Sequence, residues 1–346
     1  MMTTSPAIRV LMITSEWPVP DGRPRTTFFI KRQAEFLRTA GVDVDVFHFK
    51  GARNPWNYVK AWVRARRRLR DGHYDLVHAQ FGQSGPLAFP KRLPLVVTFR
   101  GDDLLGIEDA EGHITLGGRL LKRASQTVAR HANACIVVSD HMKDFVHPSV
   151  PVHVIPSGLD LSLFRLIPQD EARRHLNAAP DTRLVLFAGD PALARKRYWL
   201  ARAAMDILNR SLAAELVVAW GAPHTEMPYF MNACDALVCT SMQEGSPNVV
   251  KEALACNLPV VSVPVGDVAV RLQGVAGCEL CADDRPASVA TALERVLRRR
   301  QRVAGREAVQ DLDEQTLTQQ VIAVYRSVLM QRDPSPQVVQ ASDAVS

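Results

Sequence analysis

The sequence predicts an α/β chain made of two doubly wound, Rossmann-like parallel sheets facing each other across a cleft. Three observations point there. The chain has 346 residues, more than one ordinary core organises, so two domains of about 150 residues each are expected. Short apolar runs alternate with longer amphipathic segments, the pattern of strands wound with helices. That alternation runs once on each side of PSGLDLSLFRLIPQD (156–170), where the boundary falls.

In the first half, strands are expected at 9–13, 43–49, 76–79, 95–99, 134–138 and 152–155, each a short apolar run. Helices are expected at 27–39, 58–70, 118–131 and 140–145 between them. In the second half the strands are 184–188, 215–219, 236–239 and 259–263, and the helices 199–209, 227–234, 248–255 and 287–300. A last amphipathic helix covers 315–329 and the polar tail 333–346 reads as disordered. The expected division is therefore 1–157 and 158–314, with the 315–331 helix packing back on the first domain. In open sheets of this kind ligands bind beyond the carboxyl ends of the strands, which places the chemistry in the cleft.

Composition narrows the function classes. The chain is 47% hydrophobic and 23% charged, and no apolar run reaches the 18 residues of a membrane span. The start, MMTTSPAIRVLMITSEWP, lacks the basic opening and small-residue cleavage site of a signal peptide and reads as a first strand. Six cysteines, mostly in apolar runs, suit reduced core thiols in a cytoplasmic protein, and the lone Cys278-x-x-Cys281 has no partner pair for zinc. From 46 to 70 there are eight cations (Lys50, Arg53, Lys60, Arg64, Arg66, Arg67, Arg68, Arg70) and no acid, interleaved with Trp56, Tyr58 and Trp62. Taken from the whole chain's +6, those eight leave −2, so the basicity belongs to this segment. Such a stretch suits peripheral docking on an anionic membrane through 50–70, or else a solvated helix face. No nucleic-acid motif accompanies it.

The most informative stretch is TSMQEGSPNVVKEALACNLPVVSV (240–263). After the strand 236–239, Ser246 can cap the helix 248–255 with Pro247 at its first position. The free amides of Asn248 and Val249 then make an anion site fit for a diphosphate, and Gly245 lets the backbone come close. Glu244 stands before this site and Glu252 inside the helix. Carboxylates beside phosphate need hydroxyl donors, which sugars and riboses supply. The spacing fits a nucleotide sugar, with Glu252 on the ribose and Glu244 on the sugar.

EGSPNVVKEALACNLPVV resembles the Glu-x7-Glu signature of retaining glycosyltransferases of family four (group 1), which have the GT-B fold. Asn257 stands where that family usually has glycine. VIPSGLDLSLF (154–164) is similar to the family's interdomain segment, with Ser157 for asparagine. LFAGDPALARKRYWLARA (186–203) looks like its phosphate-clamping loop. Lys196 matches the clamp lysine, whereas Asp190 replaces the arginine after glycine, so Arg195 or Arg197 must stand in. TFRGDD (98–103) is similar to the acceptor-side His-Gly-x-Asp, with Gly101 and Asp103 matching and Arg100 in place of histidine. Arg100 could bind a phosphate of acceptor or donor. Gly22 sits where the family has a glycine-rich loop near the donor. The base-holding unit is reduced to WGAPHTEMPYF (220–230).

The resemblance implies transfer of a sugar from a UDP- or GDP-linked donor to a hydroxyl of a saccharide or lipid-linked acceptor, with retention and with no metal or cofactor. The setting would be bacterial-type cell-surface polysaccharide or glycolipid synthesis at the inner membrane face. Glu244, Lys196 and Arg195 would be catalytic. Gly245, Ser246, Pro247, Asn248, Val249, Glu252 and Gly22 would bind donor, and Arg100, Gly101 and Asp103 would face the acceptor. The alternatives are a nucleotide-sugar 2-epimerase and a donor-binding or membrane scaffold without turnover.

Overall fold

A computed structural model describes residues 7–18, 28–51, 54–109 and 111–332. Gly22, Arg53 and the 333–346 tail lie outside them. The first sheet is β1 (Arg9–Thr14), β2 (Asp43–His48), β3 (Leu76–Gln80), β4 (Leu95–Phe99), β5 (Ala134–Val137) and β6 (Val152–Val154), in the order β2-β1-β3-β4-β5-β6. The second is β7 (Leu184–Phe187), β8 (Glu215–Val218), β9 (Ala236–Cys239), β10 (Val260–Ser262) and β11 (Glu279–Leu280), in the order β11-β10-β9-β7-β8. Every pairing is parallel. The fold is thus the expected pair of doubly wound sheets. β4 and β5 are buried along their whole length and read as nearly unbroken apolar runs, whereas β3, equally buried, carries His78 and Gln80. The two-residue β11 is too short to leave a pattern in sequence.

The helices are α1 (Phe28–Thr39), α2 (Pro55–Asp71), α3 (Asp102–Leu105), α4 (Leu116–His131), α5 (Gln169–His175), α6 (Tyr198–Leu208), α7 (Met227–Ala233), α8 (Asn248–Ala255), α9 (Val268–Leu272), α10 (Pro286–Arg299) and α11 (Glu314–Arg332). α2 begins three residues earlier than its apolar pattern suggests. Asn54 caps it by accepting from the Trp56 amide at 3.0 Å, and Pro55 opens the first turn where no amide partner is required. Likewise Thr115 caps α4 through the Gly118 amide at 3.0 Å. The segment 140–145 is a 3-10 turn rather than an α-helix.

On one face of the first sheet Val10 and Met12 pack with Ile30, Ala34 and Leu37 of α1 and with Val321 and Tyr325 of α11. This core runs on through Ile155, Leu159 and Phe164 into that of the second sheet. On the other face Leu11, Ile13 and Val97 lie with Ala61 and Ala65 of α2, Leu104 of α3 and Val128 of α4. Two strands of chain join the halves. The Leu159 amide donates to the Leu312 carbonyl at 2.8 Å, and the Glu314 amide returns to Leu159 at 3.1 Å. Arg32 of α1 locks this junction, its Nε 2.8 Å from Glu314 and its terminal nitrogen on the Gly158 carbonyl. Farther along α11, the Tyr325 hydroxyl lies 2.6 Å from His78 Nδ1 on β3, while Thr98 holds Nε2 at 2.7 Å. Burial pushes the His78 imidazole down to about 3, so it is neutral there.

All six cysteines are free thiols, five of them buried. Burial raises Cys135, Cys234 and Cys256 to about 12, which makes them inert packing groups.

Candidate active site in the interdomain cleft

The carboxyl ends of both sheets open on a cleft of about 460 Å³. The first half contributes Glu16, Phe28, Phe29, Arg32 and the Arg100–Gly101–Asp102–Asp103 turn after β4. The second contributes the loop after β7, the Trp220–Ala222 turn after β8, and the loop between β9 and α8. All the described donor-site candidates line it: Arg195, Lys196, Glu244, Gly245, Ser246, Pro247, Asn248, Val249 and Glu252.

At the start of α8 the helix boundary falls at Pro247, not at Ser246. The Ser246 hydroxyl turns away from the helix and donates to Asp267 Oδ2 at 2.8 Å. The expected serine cap is therefore absent, and no side chain takes its place. Asn248 and Val249 line the cleft at the positive end of the helix, and Asn248 Oδ1 is buried without a hydrogen-bond partner among the described residues. Such a terminus favours an anion.

Gly245 is required by contact. A Cβ there would lie 2.4 Å from the Arg100 carbonyl oxygen, so the two loops touch backbone to backbone across the cleft. At the far end of α8, Asn257 adopts φ 55°, the left-handed closure that its side chain tolerates, and its Oδ1 accepts from the Arg306 amide at 2.8 Å.

Charges converge beside this terminus. Lys196 Nζ is 2.5 Å and an Arg195 terminal nitrogen 3.3 Å from Glu244 Oε1. Burial would raise the Glu244 carboxyl, but the two cations outweigh it and hold it below the usual carboxylate range. Arg197 is elsewhere. It sits in a left-handed turn at φ 47°, its Nε on the Thr240 carbonyl at 2.7 Å and a terminal nitrogen on Asp284 at 2.5 Å. Of the two arginines that could replace the one missing at Asp190, only Arg195 lines the cleft. Asp190 instead opens the turn, accepting from the Ala192 amide at 2.9 Å.

The acceptor-side candidates Arg100, Gly101 and Asp103 also line the cleft. Arg100 stacks on the Phe29 ring, 4.6 Å from its centroid. Its terminal nitrogens donate to Ser157 Oγ at 2.6 Å and to Gln80 Oε1 at 2.8 Å. Burial lowers it to about 10, and no carboxylate among the described residues pairs with it. Arg100 braces the interdomain segment while lining the cleft, and its Nε is buried without a hydrogen-bond partner among the described residues. Asp103 accepts from the amides of Gly82, Arg100 and Gly101 at 2.9–3.1 Å and is buried. Burial pushes its carboxyl up to about 6 against those three bonds. Asp103 shapes the turn, and its neighbour Asp102, absent from the expected set, is the aspartate nearer the charges: its Oδ2 is 3.6 Å from Arg195 Nε.

Residues 8–163 match the family described as Glycosyltransferase Family 4, and residues 169–299 match Glycosyl transferases group 1. The chain belongs to glycosyltransferase family 4. Among curated relatives of this family 4 chain, the D-inositol 3-phosphate glycosyltransferase of Actinosynnema mirum is 28% identical over 281 residues, covering 68% of the chain and 66% of that protein. The matched stretch thus spans slightly less than two thirds of the relative's length. Among solved structures, sucrose-phosphate synthase from Thermosynechococcus elongatus aligns with TM-score 0.78 at 18% identity, over 94% of this chain and all of that one. An Anabaena protein solved with UDP-glucose aligns with TM-score 0.67 at 17% identity, over 92% of this chain and all of its own. The architecture is therefore GT-B.

Two further residues of the family 4 chain escaped the sequence reading. His224 Nε2 is 3.3 Å from Glu252 Oε1, and its ring stacks on Phe28 of α1 at 5.1 Å and 16°. This histidine lies in the shortened 220–230 segment, where no spacing links it to Glu252. Lys251, next to Glu252, is fully buried and donates to the Ser157 carbonyl at 3.0 Å, with burial lowering it to about 7. A lysine beside a motif glutamate on a short helix reads as a surface charge in sequence. Here it fastens α8 to the interdomain segment.

Proposed function

We propose that this chain transfers a sugar from a UDP- or GDP-linked donor to a hydroxyl of a saccharide or lipid-linked acceptor, with retention at the anomeric carbon. One observation carries the reading. Two cations, Lys196 and Arg195, stand with Glu244 at a helix terminus that no side chain caps, inside the interdomain cleft. The diphosphate would take the amides of Asn248 and Val249 together with the two cations, which stabilise the charge that develops as it leaves. Glu252 would accept from ribose hydroxyls and Glu244 from the sugar. The leaving phosphate oxygen would take the acceptor's proton on the same face, and protein cations do the neutralising that a metal would otherwise do. The Anabaena protein solved with UDP-glucose accords with a UDP-linked donor. A thermal-shift screen of UDP-, GDP- and dTDP-sugars tests this directly: a stabilising nucleotide sugar is expected, and none would defeat it. Incubation with the stabilising donor alone separates transfer from isomerisation.

The setting we propose is cell-surface polysaccharide or glycolipid synthesis, with the protein peripheral on the cytoplasmic membrane face. No helix among the described residues is long and apolar enough to cross a membrane. Trp56, Val59 and Val63 of α2 are exposed by 71, 50 and 40%, at the i, i+3, i+7 spacing of one outward stripe. Lys60, Arg64 and Arg67 flank it in the open, whereas Arg68 is paired with Asp45. α4, packed with α2 against the 3-10 segment Gly82–Ala88, adds exposed Leu116 and Leu120 beside Arg119 and Arg123. Exposed aromatic and aliphatic groups among unpaired cations suit an anionic bilayer interface.

A further inference from the structure

Asp102 and Asp103 are adjacent in sequence and opposite in use. Asp103 is held by three backbone amides and is 4% exposed. Asp102, the first residue of α3, keeps a side chain 38% exposed and lines the cleft. Its Oδ2 is 3.6 Å from Arg195 Nε, and the same guanidinium reaches Glu244 at 3.3 Å. Gly101, just before it, lies against the Gly245 amide, so this turn is where the first domain meets the donor loop. The described first-domain carboxylates that line the cleft are Glu16, Asp102 and Asp103, and of these only Asp102 is within ion-pair distance of a clamp cation.

That position has a chemical meaning if Lys196 and Arg195 hold a donor diphosphate, the reading on which this inference rests. The anomeric carbon is one bond from the diphosphate, so the incoming hydroxyl must lie within a few ångströms of the clamp, on the first-domain side. We infer that Asp102 is the residue that receives the acceptor, accepting a hydrogen bond from the attacking hydroxyl and aiming its lone pair at the anomeric carbon. The acceptor oxygen forms its bond to that carbon as the bond to the phosphate oxygen breaks. The electron pair of the broken bond leaves on the diphosphate; as charge grows on that oxygen the hydroxyl proton passes from its hydrogen bond with Asp102 to the leaving oxygen, so Asp102 is ionised before and after the step. A bound diphosphate also competes with Asp102 for Arg195, which frees the carboxylate for the acceptor. Donor before acceptor is the order this imposes. Burial raises the Asp102 carboxyl, with Arg195 opposing and Glu244 adding to the rise, as expected of a cleft carboxylate that is only partly neutralised.

The test compares full-length wild type with Asp102→Asn and Asp102→Glu, with Glu16→Gln as a control on the same wall. UDP affinity is measured by calorimetry, and nucleoside-diphosphate release is followed with UDP-glucose, UDP-N-acetylglucosamine, GDP-mannose and dTDP-glucose. For Asp102→Asn we expect UDP to bind as tightly as to wild type or several-fold tighter, because a competitor for Arg195 is gone, while turnover falls about 10²-fold. Asp102→Glu should recover part of that loss, and Glu16→Gln should cost less than Asp102→Asn. The assignment is overturned if Asp102→Asn keeps turnover within threefold, or if UDP affinity and turnover fall in parallel. The donor reading fails separately, and this assignment with it, if wild type binds no nucleoside diphosphate.

Discussion

Lys196 Nζ and Glu244 Oε1 are 2.5 Å apart, and a terminal nitrogen of Arg195 lies 3.3 Å from the same oxygen. The site therefore carries an internal anion for the cations assigned to the donor's phosphates. A diphosphate must displace that carboxylate or share its cations, and Glu244 is then ready to reclaim them from the product.

The clamp assignment separates two neighbouring arginines. Lys196→Ala and Arg195→Ala are each expected to lower kcat/KM by about 10²-fold or more, with little change in melting temperature. Arg197→Ala should do the reverse, because it leaves the Thr240 carbonyl without its partner, at a cost of about 1–3 kcal/mol. Steady-state kinetics beside thermal unfolding of the three variants checks this, and equal kinetic losses in all three would contradict it.

His224 Nε2 lies 3.3 Å from Glu252 Oε1. If Glu252 holds the ribose as proposed, His224→Ala should raise the donor KM by about tenfold while kcat stays near wild type, since that contact would be far from the breaking bond. A kcat loss with unchanged KM would place the histidine in the chemistry instead.

Gly245→Ala puts a methyl 2.4 Å from the Arg100 carbonyl and must push the two loops apart. Activity is expected to fall about 10²-fold in a protein that still folds. Gly117→Ala, where nothing lies within 4 Å, should instead raise stability by about 0.5–1 kcal/mol. Chemical denaturation of both variants measures the contrast.

Lys251 predicts a pH dependence of stability. Burial lowers its folded value to about 7, far below that of an exposed lysine, so between the two values the unfolded chain binds the extra proton. Stability from this group therefore rises as pH climbs from 7 toward 10, and its full penalty is present below 7. Lys251→Met removes the effect. The melting temperature of wild type relative to the variant should increase from pH 7 to pH 9.5, and a flat or falling difference would refute it.

Replacing Trp56, Val59 and Val63 together by serine should weaken sedimentation with phosphatidylglycerol-containing vesicles by tenfold or more and leave unfolding temperature almost unchanged, all three being exposed. Wild-type binding should fail on phosphatidylcholine alone and in 0.5 M salt.

The strands were legible because β4 and β5 are buried on both faces and so are nearly continuous apolar runs. The donor loop was legible because Glu244, Gly245 and Glu252 are close in sequence and act locally. What sequence leaves unmarked depends on contacts between distant segments. Arg100 lines the cleft, but its partners Ser157 and Gln80 lie 57 and 20 residues away and no spacing marks them. Asp102 and Asp103 look alike as a dipeptide, and only the amides of the 81–82 and 100–101 turns decide which of them is turned inward. His224 meets Glu252 across 28 residues and Phe28 across the cleft, and neither spacing marks it.

The contact between His78 and Tyr325 spans 247 positions. It bears on how the protein is made. A ribosome delivers all six strands of the first sheet long before it delivers α11, so one face of that sheet must wait, with the Nδ1 of its imidazole lacking the tyrosine hydroxyl, until the second domain has emerged. The first domain is completed last, although it is synthesised first. Nascent chains released before residue 325 should expose that apolar face to chaperones, and proteases should find the early domain before the late one.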